Sequence, residues 1–122
     1  MPSSKQLLMG ILSNAGCPES TQVTGSGPLN HGFVAREGLV IRSLTLHLVG
    51  TPGDNDEDLV IKHKIPGMSP AFDTVRFQND MDGISDVVIT DPIFLSKGDI
   101  LTVEFANSDN IQFGLNFIHG SN

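Results

Sequence analysis

The sequence predicts an all-β fold: a two-sheet antiparallel β-sandwich of jelly-roll or Greek-key type, with about eight strands and an irregular N-terminal arm. Three observations carry that expectation. Thirteen glycines and seven prolines, with many Asn, Asp and Ser residues, punctuate short apolar runs. Those runs alternate apolar and polar side chains with a period of two, the signature of half-buried strands. The last third holds the clearest example. Leu101, Val103 and Phe105 alternate with Thr102, Glu104 and Ala106, and Ile111, Phe113, Leu115 and Phe117 resume the pattern after Asn107–Ser108–Asp109–Asn110. Two such runs around a turn cluster read as one antiparallel hairpin with an apolar face that a second sheet must cover.

The division that follows is an N-terminal arm over residues 1–30 and a sandwich domain over 31–122. At 122 residues the chain makes one domain, large enough to bury roughly two-thirds of its unfolded surface. In the arm, Gln6 to Leu12 is the apolar cluster, and Leu7, Leu8, Ile11 and Leu12 are spaced for one or two helical turns around a weakening Gly10. Thr21 to Thr24 reads as a short strand. Such a segment either folds back on its own sandwich or packs on a neighbouring subunit. Strands proper begin at Phe33. Leu39 to Val49 is long, with Leu44, Leu46 and Leu48 on one face and Ser43, Thr45 and His47 on the other. Gly50 to Asp58 is a polar connection. Leu59, Ile61 and Ile65 alternate with Val60, Lys62 and Lys64, which puts His63 on the inward register. Pro66 to Phe72 is a proline-bounded loop, Thr74–Gln78 and Asp86–Thr90 are two shorter strands, and Pro92 to Leu95 leads toward the next turn. Lys97–Gly98–Asp99 makes a tight turn ahead of the final pair.

Charge and composition narrow the partners. A net charge of −7 opposes phosphate backbones and anionic lipid, so neither nucleic acid nor membrane is an expected partner. Cys17 is alone, which rules out an intrachain disulfide and fits synthesis in a reducing cytoplasm. No apolar run approaches the roughly 20 residues of a membrane helix. Lys5, Leu7–Leu12 and Ala15–Gly16–Cys17 have the outline of a lipoprotein signal, but the apolar core is short and Ser13 and Asn14 interrupt it.

Candidate chemistry is sparse. Asp54, Asp56 and Asp58 alternate in one loop and offer oxygens to calcium, yet Leu59 starts a strand at once, so a solvated acidic tip is the expectation. The histidines His31, His47, His63 and His119 lack metal-ligand spacing, and the opposed registers of His47 and His63 argue against a shared site. Cys17 has no histidine nearby, and no serine sits in a glycine-flanked elbow. The carboxylate pairs Asp80/Asp82 and Asp86/Asp91 lie at strand ends without a defined cleft. No catalytic residue, metal or cofactor is therefore expected, and the chain does not read as an enzyme. Sugar-binding sandwiches stack rings on exposed Trp and Tyr; this sequence has neither.

The order of motifs from Ala71–Phe72–Asp73–Thr74–Val75–Arg76–Phe77–Gln78–Asn79–Asp80–Met81 through Asp86–Val87–Val88–Ile89, Pro92–Ile93, Lys97–Gly98–Asp99, Phe105–Ala106–Asn107–Ser108 and Gly114–Leu115 resembles the jelly-roll decoration, or cement, proteins of tailed-bacteriophage capsids. The resemblance covers roughly residues 39 to 119 and implies a viral structural protein without catalytic residues. It implies a homo-oligomer, a trimer, made in the bacterial host cytoplasm and bound to the major capsid protein on the virion exterior. The arm residues Leu7, Leu8, Met9, Ile11 and Leu12 are the candidates for capsid contact. Val60, Ile100 and Ile118, on the register opposite the core, and Met68 and Phe72 in the proline-bounded loop are the candidates for the subunit interface. Two other readings stand beside it. One is a glycan- or receptor-binding sandwich of a phage tail fibre; the other, resting on Asp54–Asp58 alone, is a small hydrolase or calcium-dependent lectin.

Overall fold

A computed structural model describes residues 19–121. Nine strands follow in order: β1 (Glu19–Gly25), β2 (Leu29–Val34), β3 (Leu39–Leu48), β4 (Asp58–Lys64), β5 (Thr74–Asp80), β6 (Asp86–Ile89), β7 (Ile93–Leu95), β8 (Ile100–Phe105) and β9 (Phe113–Ser121). A single 3-10 turn at Pro70–Phe72 precedes β5. The strands form two antiparallel sheets, ordered β1-β9-β3-β6 (with β7 also on β3) and β2-β8-β4-β5. The all-β sandwich is thus present among the described residues. Its loops gather at two ends. Residues 26–28, 49–57, 81–85 and 106–112 lie at one, and residues 35–38, 65–73 and 96–99 at the other, while residues 90–92 link β6 to β7 midway along β3.

Period-two alternation selects the core as expected. Leu44, Leu46, Leu48, Leu115 and Phe117 come from one sheet and Leu59, Ile61, Leu101, Val103 and Phe105 from the other, all buried. Each such side chain contributes about 1.5–3 kcal/mol on leaving water. β3 changes parity partway: Leu39 and Ile41 face inward, then Leu44, Leu46 and Leu48, with a register shift between Ile41 and Ser43. A one-residue bulge at Arg42 lets the long strand keep its apolar side against the core.

The final hairpin is corrected by the structure. β8 pairs with β2 and β4, whereas β9 pairs with β1 and β3, so the two runs lie in opposite sheets. Their apolar residues face one another across the core instead of sharing a face. Alternation reports which side chains go inside; it says nothing about which strand supplies the ladder hydrogen bonds. The segment from β3 to β4 also crosses between sheets, so His47 and His63 are not cross-strand neighbours. Among consecutive strands, β4 and β5 are the pair bonded directly to each other.

The sandwich also starts earlier than residue 31. β1 runs antiparallel to β9 from Glu19 opposite His119 to Gly25 opposite Phe113, and β2 begins at Leu29. β1 covers the expected strand at Thr21–Thr24. Its sequence, Glu-Ser-Thr-Gln-Val-Thr-Gly, sends one large apolar side chain, Val23, against the core. An edge strand of that kind carries little hydrophobic signal. The capsid-contact candidates Leu7, Leu8, Met9, Ile11 and Leu12 lie outside the described residues.

Candidate interaction surfaces

The two ends of the sandwich differ in charge because of strand direction. β4 begins with Asp58 and ends with Lys62 and Lys64, while antiparallel β5 carries Arg76 early and Asp80 last. Pairing places the carboxylates together and the cations together. At the acidic end the loops add Asp54, Asp56, Glu57, Asp82 and Asp109, and Asp86 opens β6. Carboxylate oxygens of Asp54, Asp56 and Asp82 lie within 4.8 Å of one another. Asp58, expected to alternate with the first two, instead accepts a hydrogen bond from Gln78 Nε2 at 2.8 Å. Asp109 Oδ2 accepts from Gly53 N and Asn55 Nδ2, both at 2.8 Å, which ties two acidic loops together. His47 Nδ1 and Asp86 Oδ1 are 2.6 Å apart in the open, and the bonds from His47 and then Ser85 hold the Asp86 carboxyl below its ordinary value.

Arg36, Arg42, Lys62, Lys64, Arg76 and Lys97 all lie in the other half of the sandwich. Among the described residues none of them is within ion-pair distance of a carboxylate. The outer face of β2-β8-β4-β5 explains what they border. Val34, Ile100 and Lys64 form its terminal row, and Gly32, Thr102, Lys62 and Val75 the next. Val34 and Val75 are 54% and 50% exposed. The loop that follows Lys64 adds Ile65, Met68 and Phe72, the latter two 50% and 54% exposed. Its shape is set locally: Met68 N donates to Ile65 O, Phe72 N to Ser69 O, and Gly67 takes a φ of 84° that a side chain would resist. An open cleft of about 370 Å³ lies at the same end, between the β1 and β2 edges, and Glu19, Phe33, Val34, Arg36 and His119 are among its lining residues.

The interface candidates divide between these surfaces. Val60 and Ile100 share the outer face of β2-β8-β4-β5, Met68 and Phe72 lie in the adjoining loop, and Ile118 is on the outer face of the opposite sheet between Ser20 and Ser43. They do not form one patch. Val34, Ile65 and Val75 complete the apolar end and were not singled out from the sequence. An outward valine becomes notable once pairing seats it beside a lysine, and pairing is what sequence alternation leaves open. The histidines have separate surroundings. His63 Nε2 meets the buried Asp99 Oδ2 at 2.9 Å, His119 Nε2 meets Thr21 Oγ1 at 2.9 Å, and His31 packs 5.8 Å from the Phe117 ring. No helix of the described residues is long and apolar enough to cross a membrane.

The fold and these surfaces define a β-sandwich with an acidic end and an apolar, cation-bordered end. No family model matches the sequence, and no curated protein sequence matches it. Among solved structures, the chain is similar to one in the acidic stable capsid structure of Helicobacter pylori bacteriophage KHP30. The TM-score is 0.48 at 11% identity, covering 84% of this chain and 91% of that chain.

Proposed function

We propose that this protein is a structural component of a tailed-bacteriophage virion, binding the capsid exterior as a decoration or cement protein and acting by adhesion, with no catalytic step. The observation that carries this reading is the motif order from Ala71 to Leu115, whose pieces fall in β5 through β9 and the loops between them in a two-sheet sandwich. The exposed apolar residues at one end supply an adhesive surface that fits the role. A protein that binds assembled shell and not free capsid subunits stabilises the shell by mass action. Assembly as a homotrimer would multiply weak footholds through effective concentration. Cyclic contacts join unlike faces of neighbouring copies, and Val60 and Ile118, on opposite faces of the sandwich, suit such a contact. The partner is the major capsid protein, with Leu7, Leu8, Met9, Ile11 and Leu12 as one contact.

Two measurements test this. Light scattering is expected to give the mass of three chains, and the protein is expected to co-sediment with capsids prepared without it. Deleting residues 1–16 should abolish co-sedimentation while leaving the β-sheet circular dichroism and the cooperative melt intact. Normal decoration by the truncated protein would remove the arm from the mechanism, and no sedimentation of the intact protein would end the decoration reading.

A further inference from the structure

We propose that the end of the sandwich formed by Val34, Ile65, Met68, Phe72, Val75 and Ile100 is the face that docks on the shell, and that its partner is an anionic protein surface with an apolar centre. The inference rests on the decoration reading above and adds an orientation and a partner chemistry to it. The acidic end then points away from the shell. Met68, Phe72 and Ile100 pass from subunit contact to shell contact.

Three features lead there. Placement comes first: Val34 and Ile100 adjoin at one edge of the sheet, Val75 lies at the other edge with Lys62 and Lys64 between, and the loop with Ile65, Met68 and Phe72 closes the same end. Exposed apolar side chains in a contiguous group mark interaction surfaces, whereas scattered ones do not. Charge is second. This protein carries a net −7, yet its described Lys and Arg residues all lie in this half, where they offset Glu19, Glu37, Asp73, Asp91 and Asp99 without an ion pair, so this half is near neutral while the other is strongly acidic. An acidic partner would be repelled by the opposite end and would meet Lys62 and Lys64 on this face, which fixes orientation during encounter. The third feature is where the N-terminal segment joins. Glu19 and Val34 line the same cleft, and the chain from Leu12 to Glu19 spans at most roughly 25 Å when extended. The proposed arm contact therefore departs from the same end.

The test is co-sedimentation of full-length variants with shells prepared without the protein. Lys62→Glu with Lys64→Glu is expected to weaken binding about tenfold or more at 50 mM salt, with the loss shrinking at 500 mM. Val34→Ser with Val75→Ser should weaken it about tenfold at both salt concentrations. Asp54→Asn, Asp56→Asn and Asp82→Asn together should bind within about twofold of the wild type. Cooperative melts establish that each variant is folded, and Lys62→Gln with Lys64→Gln replaces the charge-reversed pair if that pair is not. Unchanged binding by both apolar-end variants, or loss confined to the acidic-end variant, overturns the orientation while leaving the decoration reading intact. Failure of the wild-type protein to bind shells ends that reading and this one with it. Binding to phosphatidylserine-containing vesicles in place of shells, lost in the charge-reversed variant, would reassign the surface to lipid.

Discussion

At the scale of single residues, Asn107 shows how one side chain organises an irregular loop. It is 1% exposed and adopts a φ of 50°, a left-handed conformation that Asn tolerates better than most residues. Its Nδ2 donates to Gly27 O and Ile111 O, both at 2.9 Å, and its Oδ1 accepts from Ile111 N at 3.1 Å. The side chain thus joins the loop after β8 to the loop before β2. Asn107→Ala would strand those partners and retain the backbone strain, at a cost of about 3 kcal/mol by urea denaturation. Asn107→Asp should cost about as much, because a carboxylate would face two carbonyl oxygens. Asp99 offers a pH-dependent counterpart. Burial pushes its carboxyl up, but the bonds from His63 and from Ser96 N outweigh that and hold it below its ordinary value of 3.8. A carboxyl that ionises more readily folded than unfolded stabilises the protein above the unfolded value, and that contribution disappears as pH falls through the folded one. Removing the group with Asp99→Ala should lower stability by about 2 kcal/mol at pH 7 and flatten the fall in melting temperature between pH 5 and pH 2.

At the scale of strands, the residues that enter the core were legible and their partners were not. Leu101, Val103, Phe105, Phe113, Leu115 and Phe117 are all buried, as alternation requires. Yet β8 and β9 hydrogen-bond to other strands, because a seven-residue connection held by Asn107 arches from sheet to sheet. β1 extends beyond its expected Thr21–Thr24 for the opposite reason: its ladder with β9 is complete, but its side chains are mostly polar. The arch makes Phe117 a tie between layers. It is fully buried on β9 and stacks on Phe33 of β2 at a ring separation of 5.1 Å. Phe117→Ala should therefore cost about 3–5 kcal/mol, read as a lower urea midpoint with an unchanged slope.

Across the whole molecule, the charge separation emerges from topology. In sequence order the cations Lys62, Lys64 and Arg76 of β4 and β5 are bracketed by the carboxylates Asp58 and Asp80. Antiparallel pairing sorts them to opposite ends, which is why the polarity was invisible before the register was known. The acidic triplet was legible only in its members: Asp54 and Asp56 share a loop in the sequence, whereas Asp82, noted beside Asp80, arrives from a separate loop. Gathering like charges opposes folding through mutual repulsion. The Asp54→Asn, Asp56→Asn, Asp82→Asn variant should accordingly melt a few degrees above the wild type at low salt, and the gap should close in 0.5 M NaCl.

The pairing of Glu19 with His119 has one more consequence. It brings the first and last rungs of the sandwich side by side, so a short linker could splice Ser121 back to Glu19 while new termini are opened among residues 51–57. Every ladder would survive that rewiring. The order in which the polypeptide visits the sheets is then separable from the architecture that they build.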